Sequence, residues 1–119
     1  MANNAVMFSG NLTKEPELRN LKGGKAVLNF RVAVDAAGNN AESAGFFDCA
    51  AWGDLGTNLA GSLGKGQRVI VVGQLKHRTY ETKEGDARSV VEVQVEDAGP
   101  SLLWMKAELT STKSKAKAA

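Results

Sequence analysis

A chain of 119 residues and 12.6 kDa is long enough for one compact domain and too short for two independent cores. Hydrophobic residues make up 43% and charged residues 24%, which excludes both an intrinsically disordered chain and a membrane-embedded one. The net charge of +2 is uneven: residues 1–109 carry 12 basic against 13 acidic side chains and residues 110–119 carry three lysines and no acid, so attraction of a polyanion to the whole surface is excluded.

The chain opens on Met1-Ala2-Asn3-Asn4, without the basic and apolar regions of a secretion signal. No stretch approaches the roughly 18 consecutive apolar residues of a membrane span, so the expectation is a cytoplasmic protein with no membrane partner. Val6, Phe8 and Leu12 mark a first strand, which Pro16 interrupts or sends to an edge, and a short extended piece follows at residues 17–21. After a Gly23-Gly24 turn, residues 26–34 alternate Ala26, Leu28, Phe30, Val32 and Val34 against Val27, Asn29, Arg31 and Ala33, the two-residue period of a half-buried strand. Residues 35–45 contain no large apolar side chain and read as a long surface loop.

A strand over residues 46–52 leads to a short helix of about ten residues, with Asp54 as its cap, Leu55, Leu59 and Leu63 on its apolar face, and Gly64-Lys65-Gly66 as its end. Gly56 and Gly61 each lower helix propensity by about 1 kcal/mol relative to alanine, so this helix must lean on the sheet. A long strand over residues 68–80 turns at Lys83-Glu84-Gly85-Asp86 into another over residues 89–97, where Val91, Val93 and Val95 oppose Arg88, Glu92, Gln94 and Glu96. An apolar strand over about residues 100–109 and a disordered basic tail at 110–119 complete the chain. Five strands with a helix between the third and fourth predict an all-β fold, the five-stranded oligonucleotide/oligosaccharide-binding (OB) barrel, here with an extra C-terminal strand.

Two constellations carry chemistry. Lys76, Arg78 and Tyr80 fall two residues apart on one strand face, so that two cations and a ring stand together. Cations that follow phosphates and a ring that stacks an unpaired base suit single-stranded nucleic acid. The same pattern fits a strand that runs into solvent with its long side chains lying along the surface. The acids Glu92 and Glu96 lie on another strand, apart from these cations. In residues 46–52, Phe46 and Trp52 share a face with Asp48 and Ala50, while Phe47, Cys49 and Ala51 form the core side. Six residues at about 3.3 Å each put Phe46 and Trp52 roughly 20 Å apart, room for several nucleotides on an open face. Spacing alone also allows either ring to be buried.

Enzymatic readings find little support. Residues 61–66 partly match a phosphate-binding loop, but Leu59 stands where its first glycine belongs and Gly66 where Ser or Thr is needed. His77 alternates to the face away from Lys76 and Arg78, and a lone Cys49 with a lone histidine gives neither a disulfide nor a metal cluster, so no metal, cofactor or catalytic residue is expected.

With these residues in place, the chain resembles bacterial single-stranded DNA-binding proteins from about residue 7 to 109. The resemblance rests on Met7-Phe8-Ser9-Gly10-Asn11-Leu12, Glu15-Pro16-Glu17-Leu18-Arg19, Trp52-Gly53-Asp54-Leu55, Leu63-Gly64-Lys65-Gly66, Val72-Gly73-Gln74-Leu75-Lys76-His77-Arg78-Thr79-Tyr80 and the hairpin at 81–88. It implies an OB barrel, a homotetramer, and binding of single-stranded DNA without sequence preference in replication, recombination and repair, with no catalytic activity. Position by position it implies stacking at Phe46, Trp52 and Tyr80 and basic contacts at or beside Arg19, Arg31, Lys65, Lys76 and Arg78. Residues 99–109 are similar to the extra strand of the actinobacterial branch, which clasps a neighbouring subunit; Leu103, Met105, Ala107 and Leu109 form its apolar face, and Trp104 belongs to packing or the interface. Two departures stand out. A further stacking aromatic of the family falls near Ala36-Ala37-Gly38, and the lysines of residues 112–119 stand in place of an acidic tip, so recruitment of repair enzymes is not an expectation here. The alternative from another class is a structural OB barrel within a primosome-like assembly.

Overall fold

The protein is described here from a computed structural model covering residues 4–34 and 45–112. Its elements in chain order are β1 (Ala5–Leu12), β2 (Glu17–Asn20), β3 (Ala26–Val34), β4 (Gly45–Trp52), α1 (Gly53–Ala60), β5 (Arg68–Glu81) and β6 (Ala87–Pro100). Five of the strands close a ring in the order β1-β5-β6-β4-β3, and β3 returns to β1 through Asn11–Ala33 and Leu12–Val32. β2 hangs on the outer edge of β3, with every residue exposed. All contacts in the ring are antiparallel except β4 with β6, a parallel seam registered only at Cys49–Val93 and Ala50–Gln94.

The period-two pattern decides what lies inside the ring. Leu28, Val32, Ala51, Val69 and Val71 are wholly buried, and Phe30, Cys49 and Val93 nearly so. Phe47 completes the inner side of β4 by stacking on Phe8, with ring centroids 4.7 Å apart. Closing a sheet into a ring is a common way for a small all-β domain to limit edge-to-edge aggregation.

β5 and β6 outrun the barrel. Residues 76–81 are all exposed, and the hairpin continues as a two-stranded ribbon to a turn held by Thr82 N–H donating to the Asp86 carbonyl at 2.9 Å. The ladder shifts register between Val72 and Gly73, where a Cβ would come within 2.3 Å of the Gln94 carbonyl oxygen. Only glycine fits there, and such a bulge bends the ribbon away from the barrel.

The helix departs from its predicted boundaries. Trp52, in extended conformation and without a side-chain cap bond, is its N-cap residue; Asp54 lies inside the first turn. Gly53, at φ +70°, turns β4 directly into α1 and leaves no spare residue to cap it. Leu63 is buried just past the helix, in a turn whose N–H donates to the Leu59 carbonyl at 2.9 Å. Gly56 has a packing reason: a Cβ there would meet the Ala51 carbonyl oxygen at 2.3 Å, so the glycine lets α1 lie flat on the sheet.

β6 runs through Gly99 to Pro100, Ser101 N–H donates to the Arg68 carbonyl at 3.0 Å, and residues 101–112 form no strand within the single chain. Residues 35–44 of the predicted 35–45 loop, the Ala36-Ala37-Gly38 position within it, and residues 113–119 of the basic tail lie outside the described residues, while Gly45 opens β4.

Candidate nucleic-acid interface

The alternation that fills the barrel also decorates its outside. On β4, Cys49 and Ala51 point inward, while Phe46 and Trp52 stay 56% and 46% exposed. Each outward residue of β4 meets a partner on β3: Phe46 opposite Ala33, Asp48 opposite Arg31, Trp52 opposite Val27, and Val27 in turn opposite Arg19 of β2. The Arg31 guanidinium reaches Asp48 Oδ1 at 3.6 Å and stands 5.0 Å from the centre of the Phe46 ring. Phe46 therefore already carries a cation, held in place by the carboxylate across the strand.

On β5 the outward set is Lys76, Arg78 and Tyr80, facing Glu92, Val90 and Arg88 of β6. Tyr80 is 48% exposed, with its ring near the ribbon tip. The register corrects the expected charge separation, because Glu92 lies directly across from Lys76 on the same face. Glu96 is engaged by Gln74, whose Nε2 donates to it at 2.8 Å. It also adds a cation: Arg88 stands beside Tyr80, a neighbourhood readable from the hairpin by counting outward from Gly85. The β4–β6 seam joins the two clusters into one outer face running from β5 through β6, β4 and β3 to β2.

Lys65 stands elsewhere. It lies in the turn after α1, where its backbone N–H donates to Glu15 Oε1 at 2.9 Å, and it has no strand partner on this face. Trp104 is 74% exposed, with the Arg68 guanidinium 5.1 Å from its ring centre; Arg68 also donates to Ser9 Oγ at 3.0 Å. Leu103 and Leu109 are exposed and Met105 is half-buried. Burial, and then the charges of Asp48 and Glu92, push the Cys49 thiol up to about 12, so at neutral pH it is a protonated core side chain. Among the described residues no group of three His, Cys, Asp or Glu side chains stands ready to hold a metal ion, and no helix is long and apolar enough to cross a membrane.

Residues 3–101 match the single-strand binding protein family over most of the chain. The chain belongs to that family. Its OB barrel is the five-stranded ring described above, with β2 as an appendage. Among its relatives is a single-stranded DNA-binding protein of Paenarthrobacter nicotinovorans, 43% identical over 114 residues that make up 90% of this chain and 67% of that protein. Another, from Corynebacterium glutamicum, is 44% identical over 90% of this chain and 51% of its own length. A third, from Mycolicibacterium smegmatis, is 45% identical over 87% of this chain and 67% of its own length. The chain thus spans from about half to about two thirds of the length of these family members.

Proposed function

We propose that this chain binds single-stranded DNA without sequence specificity and shields it during replication, recombination and repair, as a cytoplasmic, nucleoid-associated homotetramer. The observation that carries the reading is a single continuous face on which three half-exposed rings, Phe46, Trp52 and Tyr80, alternate with Arg31, Arg19, Lys76 and Arg78. Every base has a π face, so stacking on such rings tolerates any sequence, while cations follow the backbone. Arg31 acts by exchanging Asp48 for a phosphate while its guanidinium keeps the Phe46 ring company. Lys65 contributes from the barrel end as an outlying contact. The rings lack a nucleophile with its base, and the chemistry of the face is binding rather than turnover.

Leu103, Trp104, Met105 and Leu109 belong in this reading to a clasp between subunits. The segment that carries them has no strand partner in its own chain and leaves apolar side chains uncovered. A purely structural barrel of a primosome-like assembly is not favoured, because it gives no role to three exposed rings interleaved with cations.

Titration with oligothymidylate, followed by tryptophan fluorescence, tests the reading: quenching at a defined stoichiometry is expected from Trp52. Unchanged emission with no gel shift at low salt would overturn it. Light scattering on the free protein tests the tetramer, and a monomeric mass would remove the clasp.

A further inference from the structure

One end of the interface offers more than stacking and charge. Beside Trp52 lies a hollow of about 550 Å³ lined by Gly24, Lys25, Ala26, Gly53, Asp54 and Thr57. One wall is the β2–β3 turn, held by Leu21 N–H donating to the Lys25 carbonyl at 2.7 Å, and the other is the first turn of α1. Gly24 and Gly53 both take positive φ, and no atom stands within 4 Å of where a Cβ would be, so the mouth is open. The Trp52 ring stands at its side, half exposed.

The polar groups around this hollow complement different parts of a nucleotide. Lys25 brings an ammonium, Asp54 a carboxylate and Thr57 a hydroxyl, and neither the Lys25 nor the Asp54 side chain has a hydrogen-bond or ion-pair partner among the described residues. Two other acids of the outer face are engaged, Asp48 by Arg31 and Glu96 by Gln74. The Thr57 hydroxyl donates to the Gly53 carbonyl at 3.3 Å, which turns its lone pairs outward as acceptors. A bare helix start attracts phosphate, but here the Asp54 carboxylate sits in the first turn and repels it. The group that fits between the ring and Asp54 is therefore the donor edge of a base.

We propose that the hollow is a nucleobase subsite in which a base stacked on Trp52 gives its exocyclic amino group to Asp54 while Lys25 takes the adjoining phosphate. The inference rests on the single-stranded DNA reading above and gives it one point of base preference. At the position of this exocyclic group on the major-groove edge, cytosine and adenine carry an amino donor, whereas thymine carries the O4 carbonyl oxygen, which faces the carboxylate with like polarity. The remainder of the face stays tolerant, so the preference belongs to one position in the bound strand.

Short dC and dT homopolymers of equal length, titrated at low salt by fluorescence anisotropy against wild type, Asp54→Ala, Asp54→Asn and Glu92→Ala, provide the test. Asp54→Ala is expected to lower the dC-to-dT affinity ratio by about three- to tenfold, the worth of one hydrogen bond. Asp54→Asn, whose amide both donates and accepts, is expected to lower the ratio likewise without a change of shape. Glu92→Ala removes an equal charge from the same face and should tighten both oligomers alike. If Asp54→Ala changes dC and dT by one common factor, the carboxylate acts only as a charge and the subsite is overturned. If wild type binds neither oligomer, the fault lies with the DNA-binding reading itself.

Discussion

The two halves of the β5–β6 hairpin share one backbone ladder and have opposite fates. In the barrel half, Val69, Val71, Val93 and Val95 are buried, and each strand is pinned by a second neighbour. In the ribbon half, from Lys76 to Glu81, every side chain is exposed and, among the described residues, the only strand partner is the other arm of the hairpin. Cross-strand hydrogen bonds are present in both, yet burial separates a rigid element from one that opens locally at little cost. Stability thus concentrates in one half, and the other is free to spend its side chains on a ligand.

Leu28→Ala should have the largest effect, a stability loss of about 2–5 kcal/mol, because Leu28 is wholly buried in the barrel. Denaturant melts would read it. Tyr80→Ala should show the reverse pattern, costing about 1–3 kcal/mol in affinity for single-stranded DNA while the unfolding midpoint stays in place. A Tyr80 variant that melts early would erase the distinction between the two halves. Trp52→Ala should weaken binding on the same scale, because its ring is half exposed and not part of the core.

Alkali sharpens the comparison from the barrel side. The folded Cys49 thiol titrates at about 12 against an ordinary 9.0, so between these values the unfolded chain ionises it and the folded chain does not. Its stabilising contribution is whole below pH 9 and is lost as pH rises toward 12. Cys49→Ala should therefore show a shallower loss of stability than wild type in urea melts above pH 9. The smallest effect belongs to Lys76→Ala, which should reduce the slope of log affinity against log salt by about 0.7, one phosphate contact. An unchanged slope would assign Lys76 to Glu92, its cross-strand neighbour.

Much of this architecture is legible along the chain, because the two-residue period is local. The inner set of β3, the shared face of Phe46 and Trp52, and the break before Pro16 all follow from neighbours in sequence. What escapes sequence reading is set across strands. The guanidinium of Arg31 over Phe46, and the facing of Lys76 by Glu92, depend on register, which the alternation of either strand leaves undefined. The cap position at Trp52 escapes for another reason: a glycine at positive φ shortens the connection below what a side-chain cap needs. Residues 101–112 show the limit of periodicity, since an apolar alternation states that a strand is possible and says nothing of whether a free edge exists to receive it.

The parallel seam between β4 and β6, registered at Cys49–Val93 and Ala50–Gln94, has a mechanical meaning. Like the β1–β3 closure it rests on two residue pairs, and it lies between the rings of β4 and the ring at the tip of β5. In the binding mode proposed above, a nucleic-acid strand stacked on both sides would bridge that joint like a splint across a seam in a hoop. Occupancy then raises the cost of springing the barrel open, and the cargo becomes a structural member of its own container.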